Sequence, residues 1–315
     1  MDPSAGGSST SATRPSPGSR RSAKGSARSG SSGESGGIGR SALRALAERH
    51  GVRPTKSLGQ HFIVDPNLAR AIVADAGVGP GDRVLEVGAG FGSITVALAE
   101  AGCEVVALEF DRQIVPALLE VVAGSPNVRV EQADAMRVDW PALLGDGPWA
   151  LVANLPYNIS VPLVLTLLER VPAIASYVVM VQREVGDRFV AGPGEPAYGS
   201  VSLRVAYRAD VATVRRVPAE VFWPRPSIDS VLVRLRPRPA PVDVDPDALF
   251  RVVDESFAER RKTMRNALRR LGLAAPDAVR VLEASGVSPA ARAEQLGLDA
   301  FARVTTAILA EGWRP

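Results

Sequence analysis

The chain has 315 residues, 46% hydrophobic and 23% charged, an ordinary composition for a globular protein with room for two domains and a sizeable core. No apolar run reaches transmembrane length, so no membrane role is expected; the one cysteine, Cys103, excludes an internal disulfide and, with only His50 and His61 beside it, leaves no credible metal site. The net charge of +3 is that of residues 1–39 alone, where Arg14, Arg20, Arg21, Lys24 and Arg28 outnumber Asp2 and Glu34, so a nucleic-acid partner has to be argued from clustered cations elsewhere.

Residues 1–39 are Ser, Gly, Ala, Pro and Arg with almost no large apolar side chains, too little to offset ordering entropy, and are expected to be disordered. The amino terminus carries no secretory signal, and a reducing cytoplasm is the expected location. A short helix follows over 41–50, with Leu43, Leu46 and Ala47 on one side. Lys56 to Asp65 has neither helical nor strand periodicity, and reads as a loop before the first strand.

Arg83–Val87 is the first clear strand, running into E-V-G-A-G-F-G at 86–92 and a helix from Ser93 to Ala101. Glycines at 88, 90 and 92 allow a backbone to approach a ligand at a helix amino terminus. The spacing is neither the dinucleotide G-x-G-x-x-G nor a P-loop. A second strand over 104–108 ends in Glu109, placed to bind two ribose hydroxyls. A third, Val128 to Gln132, leads to Asp134, which can accept from an adenine amino group. A fourth, over 150–153, breaks at Asn154-Leu155-Pro156-Tyr157, because Pro156 cannot donate to a sheet ladder.

Each of these groups alone suits a solvated loop or an ordinary turn. Four in succession at strand carboxyl ends describe a pocket for S-adenosylmethionine, its methyl aimed at Asn154. The Asn154 carboxamide oxygen and a backbone carbonyl of Leu155 or Pro156 could accept both N–H bonds of an adenine amine, and Tyr157 could stack on the base. A fifth strand over 177–182 precedes R-E-V-G-D-R-F. Residues 209–217 and 230–235 read as a closing β pair around a Pro-rich loop. There Phe222 is either the second half of a base clamp with Tyr157 or a loop anchor in a hydrophobic groove.

Residues 236–246 are rich in Pro and Val and mark a linker between a catalytic domain, 40–235, and a helical substrate domain, 247–315. The span 247–271 reads as one helix with Phe257, Met264, Leu268 and Leu271 as its apolar stripe. Arg260, Arg261, Lys262, Arg265, Arg269 and Arg270 crowd the rest, a density that suits RNA phosphates, although Asp254, Glu255 and Glu259 upstream could pair with them. Two helices, over 276–285 and 299–311, complete this domain.

The motifs together resemble the small-subunit ribosomal RNA adenine N6,N6-dimethyltransferases, from about Gly51 to Phe301. The resemblance is carried by K-S-L-G-Q-H-F at 56–62, L-E-V-G-A-G-F-G at 85–92, L-E-F-D at 108–111, A-D-A-M at 133–136 and N-L-P-Y-N-I-S at 154–160. It continues in Q-R-E-V at 182–185, F-W-P-R-P-S-I-D-S-V at 222–231, R-R-K-T-M-R-N-A-L at 260–268 and R-A-E-Q-L at 292–296.

The resemblance implies an α/β fold of the class I S-adenosylmethionine-dependent methyltransferases, Rossmann-like, with a seven-stranded sheet whose last strand is antiparallel, plus an all-helical carboxyl domain. It also implies four methyl transfers to two adjacent adenosines near the 3′ end of 16S rRNA, late in small-subunit assembly; a monomer is expected. On this pattern His61 and Ile63 lie beside the cofactor, Gly88 closes on its amino-acid end, and Glu109 and Asp134 take its ribose and adenine. Asn154 lies between cofactor and target. The family usually has Asn at position 61 and Leu at 63; a backbone contact would survive both changes. Three other readings stay open: a large-subunit rRNA adenine methyltransferase of the macrolide-resistance type, a non-catalytic assembly factor on the same scaffold, and a DNA adenine methyltransferase.

Overall fold

The computed structural model describes residues 37–54, 59–259 and 261–315. The expected disorder of residues 1–36, the first part of the K-S-L-G-Q-H-F motif and the assignment of Arg260 to RNA lie outside them.

A seven-stranded sheet organises the catalytic part, in the order β4 (Val128–Gln132), β3 (Glu104–Glu109), β2 (Arg83–Val87), β5 (Trp149–Asn154), β6 (Ile174–Gln182), β9 (Ser230–Pro237), β7 (Ala209–Val217). The first five run parallel, while β9 inserts antiparallel between β6 and β7. This is the seven-stranded arrangement expected, with its last strand reversed. A two-residue ribbon, β1 (Phe62–Ile63) with β8 (Phe222–Trp223), ties the amino-terminal loop to the Pro-rich loop.

Helices cover both faces: α1 (Arg40–Arg49), α2 (Pro66–Ala76), α3 (Ser93–Glu100), α4 (Val115–Val122), α5 (Trp140–Leu144), α6 (Ser160–Arg170), α7 (Arg183–Val190) and α8 (Ser200–Arg208). Parallel strands covered on both sides need apolar residues at both parities. On β2, Leu85 and Val87 enter one core cluster, and Val84 enters the cluster under α3 on the other face. Strand alternation therefore turns Glu86, 2% exposed, into that second layer as well.

The chain leaves the sheet at Pro237 and re-enters helix at α9 (Pro246–Phe257), followed by α10 (Met264–Arg270), α11 (Ala275–Ala284) and α12 (Leu298–Ala310). Leu249, Met264, Leu268, Phe301 and Ile308 pack with Leu203 and Tyr207 of α8, so the helical region shares a core with the sheet's flank. Each such buried side chain contributes on the order of 1.5–3 kcal/mol.

The single helix expected over 247–271 is two. Thr263 bridges to Arg292, and Met264 donates its N–H to the Ala291 carbonyl at 2.8 Å, a tertiary pairing that breaks the helix before Met264. The apolar periodicity continues across the break because Phe257, Met264 and Leu268 all face the same core.

Candidate active site

Four parallel strands deliver their carboxyl ends to one side of the sheet, where a cavity of about 270 Å³ opens. His61, Gly88, Glu109, Asp134, Asn154, Leu155, Pro156 and Tyr157 all line it. Gly88, Glu109, Asp134 and Asn154 are brought together because they lie at or just past the ends of adjacent parallel strands, and His61 reaches the same place from the amino-terminal loop through its carbonyl's bond to Asn154.

Two glycines make the floor. Gly88 has φ +75°, and a Cβ there would come 3.0 Å from Pro156 Cδ. Gly90 has φ +56°, and its Cβ would meet the Phe62 ring at 2.7 Å. Side chains are excluded at both, by conformation and by the loops that close over them.

Glu109, at the end of β3, is 7% exposed. Its two carboxylate oxygens accept N–H bonds from Gly90 at 2.7 Å and Asp111 at 2.8 Å, which orients the carboxylate and leaves further lone pairs for a ligand. Burial pushes its pKa above the ordinary carboxylate value, and the N–H bonds from Asp111 and Gly90 pull against that rise. Asp134 Oδ1 accepts from the Met136 N–H at 2.9 Å, and Arg137 stands 3.6 Å from its other oxygen.

Two apolar side chains on the cavity were not singled out from sequence. Phe110 is 57% exposed and Met136 41%, and each follows closely on one of the acidic groups. A large apolar side chain held open to solvent beside a polar group is the visible signal for a flat ring, and in sequence it sits inside L-E-F-D and A-D-A-M. Gln60 Nε2 donates to Asp111 at 2.8 Å and latches the amino-terminal loop to the end of β3.

Asn154 is the last residue of β5. Its Nδ2 donates to the His61 backbone carbonyl at 2.8 Å, which fixes the amide's orientation, since a carbonyl can only accept. Oδ1 is then buried and, among the described residues, has no partner. The Leu155 N–H donates to the Met180 carbonyl at 3.1 Å, and the Pro156 carbonyl accepts from Ile159 at 3.2 Å, whereas the Leu155 carbonyl accepts no hydrogen bond among the described residues. Of the two backbone acceptors considered, Leu155 is the one left open.

Tyr157 is held at both ends. Its hydroxyl bonds Ser230 Oγ at 2.8 Å, and its ring lies 5.0 Å from the His61 ring. His61 Nδ1 donates to the Pro224 carbonyl at 2.7 Å, so this loop residue uses its backbone on Asn154 and its side chain on the Pro-rich loop.

One expected site residue takes another position, and a second turns its side chain away from the cavity. Phe222 is fully buried in the core layer under α3 and does not line the cavity; it anchors the Pro-rich loop, and the clamp reading is corrected. Its strand pairing with Ile63 turns both side chains into that layer. Ile63 is 3% exposed, and its side chain does not line this cavity; its carbonyl accepts from Ser93 Oγ at 2.7 Å.

Glu86 lies behind this wall. It accepts from Thr95 Oγ1 at 2.6 Å, and burial pushes its pKa up to about 8, against that hydrogen bond and with help from the charge on Glu109. A carboxyl raised in the folded state contributes stability fully present below the unfolded value near 4.5, and loses it as pH rises through about 8. Glu86→Gln should remove this dependence. The melting temperature of wild type relative to the variant is expected to fall between about pH 5 and pH 8; a constant difference across that range would show that Glu86 is charged in the fold.

In the helical region Arg270 pairs with Glu255 and Glu259, both at 3.3 Å, so the carboxylate-paired alternative holds for it. Arg261, Lys262, Arg265 and Arg269 are exposed, and their side chains form no ion pair among the described residues. The helix break places Arg261 and Lys262 in a turn, and Arg265 and Arg269 on α10.

The family model "Ribosomal RNA adenine dimethylase" matches residues 52–309. The chain is 45% identical over 274 residues to the Ribosomal RNA small subunit methyltransferase A of Streptomyces griseus, covering 85% of this chain and 94% of that protein. Among solved structures it resembles a dimethyladenosine transferase from Plasmodium falciparum, with TM-score 0.69, 24% identity, and coverage of 80% of this chain and 99% of that one. It also resembles the 23S rRNA methyltransferase ErmE, with TM-score 0.60, 23% identity, and coverage of 78% and 98%. These two structural likenesses speak to the fold alone.

Proposed function

Since the chain belongs to the ribosomal RNA adenine dimethylase family, we propose that it dimethylates the N6 amines of two adjacent adenosines near the 3′ end of 16S rRNA. The methyl donor is S-adenosylmethionine, and the substrate is the assembling small ribosomal subunit. The observation that carries the reading is the oriented Asn154 amide, whose buried oxygen lacks a partner beside Tyr157 on the cavity wall.

The cavity suits that donor on its own chemistry. The two acidic strand ends can accept from ribose hydroxyls and an adenine amine, Phe110 and Met136 offer apolar faces, and the Gly88–Gly90 floor leaves backbone open to a methionine tail. When bound, the donor supplies an electrophilic methyl group. Asn154 Oδ1 and the Leu155 carbonyl accept the two hydrogens of the target amine and steer its lone pair out of conjugation with the ring. Tyr157, fixed by Ser230, gives the base a face to stack on. No side chain needs to take a proton before methyl transfer, because the amine's acidity rises only once it is alkylated.

A large-subunit target is the second reading, since ErmE shares the fold. The N-L-P-Y sequence, the R-R-K-T-M-R-N-A-L stretch and the 45% identity to a small-subunit enzyme favour 16S rRNA. The reading includes action as a monomer, supported by the convergence of Glu109, Asp134, Asn154 and Tyr157 within one chain, and a cytoplasmic location, where the small subunit it would act on is assembled. Mass spectrometry of 16S rRNA from a deletion strain should show both adenosines unmethylated and restored by the wild-type gene. Dimethylated adenosines in the deletion strain would end this reading.

The four unpaired cations are assigned to RNA phosphates. Replacing Arg261, Arg265 and Arg269 with Gln is expected to flatten the salt dependence of subunit binding, by about one slope unit for each phosphate left without its cation. Binding of S-adenosylmethionine should be unchanged. A wild-type salt slope would return these residues to the solvated surface.

A further inference from the structure

Behind the Asn154 wall lies a second, much smaller cavity of about 20 Å³, bordered by Glu86, Ser93 and Asn154 among other residues. Asn154 is the polar side chain common to both cavities, and Glu86 borders only the small one. The volume fits one water and nothing larger. Its lining is polar enough to hold that water. Glu86 spends Oε2 on Thr95, Ser93 opens the first turn of α3 where backbone N–H groups lack helical partners, and Asn154 Oδ1 is a buried acceptor without a partner among the described residues.

We propose that Glu86 is a positioning residue for Asn154, joined to Oδ1 by a single ordered water in this cavity. The inference rests on reading Asn154 as the acceptor for the target amine. A carboxamide oxygen has two lone pairs: the water holds one from behind, and the other faces the substrate. With Nδ2 tied to the His61 carbonyl, the amide is then fixed at both ends before RNA arrives. The strand alternation of β2 explains why a carboxyl stands there at all. It lies at the one position of that strand that faces α3 and also backs onto the end of β5.

The link has a direct test. A high-resolution crystal structure of the enzyme should show one water within hydrogen-bond distance of both the Glu86 carboxyl and Asn154 Oδ1. A dry cavity, or a water that touches only one of the two, overturns the proposal whatever the enzyme methylates.

Kinetics supply the second arm. Glu86→Gln keeps an acceptor for Thr95 and a donor toward the water, so its single-turnover rate should stay within about threefold of wild type. Glu86→Leu should lose about 10- to 100-fold, with an unchanged dissociation constant for S-adenosylmethionine. In an Asn154→Ala background, Glu86→Leu should cost little more, because the group it positions is already gone. An equal loss in both backgrounds, or a weakened dissociation constant in Glu86→Leu with the rate intact, would make Glu86 a structural or cofactor residue. Wild-type turnover in Asn154→Ala alone would instead remove the reading on which the proposal rests.

Discussion

Asn154→Ala is expected to slow single-turnover methylation by roughly two to three orders of magnitude, the scale of removing one oriented polar group from an active site. The loss should fall on the chemical step and not on subunit binding, because phosphate contacts carry most of the affinity for RNA. The fold should tolerate the change: the amide's bond is to the His61 carbonyl at the cavity edge, and the core beneath is formed by Leu151, Val152 and Ala153. Asn154→Asp asks whether neutrality matters, since a carboxylate accepts more strongly yet cannot donate to His61 and brings negative charge beside the methyl donor. Wild-type rates in Asn154→Ala would reduce this stretch to an ordinary turn.

Glu109→Ala is expected to weaken S-adenosylmethionine binding by about 1.5–3 kcal/mol, the value of hydrogen bonds to a charged group, or roughly 10- to 150-fold in the dissociation constant. RNA affinity should barely move. The carboxylate also receives the Gly90 and Asp111 N–H groups, so its removal loosens the glycine turn together with the ribose site. Glu109→Gln separates the two effects, because a carboxamide oxygen can replace only one of these acceptors. Calorimetry that returns the wild-type constant for Glu109→Ala would exclude the ribose assignment.

The strand ends were legible in sequence because buried parallel strands are short apolar runs, and the polar groups that terminate them stand out. Glu109 and Asn154 are each the first polar side chain at the end of an apolar run, whereas Asp134 lies two residues past the edge strand V-R-V-E-Q, whose own polar residues blur its end; all three reach one cavity. Phe222 was not legible: an aromatic residue in a Pro-rich loop looks alike whether it faces a ligand or a core, and the pairing with Ile63 that decides the matter is 159 positions away. The division between α9 and α10 was hidden for a similar reason. Local periodicity records which face is buried, whereas the break is imposed by a bridge to Arg292. Glu86 was concealed inside a motif whose glycines draw attention, and only its place under α3 marks it as unusual.

The two open acceptors, Asn154 Oδ1 and the Leu155 carbonyl, also impose a count. An unmodified adenine amine brings two hydrogens and satisfies both. After one methyl transfer a single hydrogen remains, so one acceptor is left bare while the other still holds the nitrogen in place for a second round. After two transfers there is no hydrogen to give. The product then covers the Leu155 carbonyl and the substrate-facing lone pair of Asn154 Oδ1 with nothing to offer them, and the carbonyl, left wholly unmet, costs about 1–3 kcal/mol. With Asn154 and Leu155 holding the target amine as proposed, the finished base is expected to be released by the same pair of oxygens that captured it, and the pocket to stop at two methyl groups without needing a gauge of size. A dimethylated oligonucleotide bound as tightly as its unmodified counterpart would show that this arithmetic does not govern release.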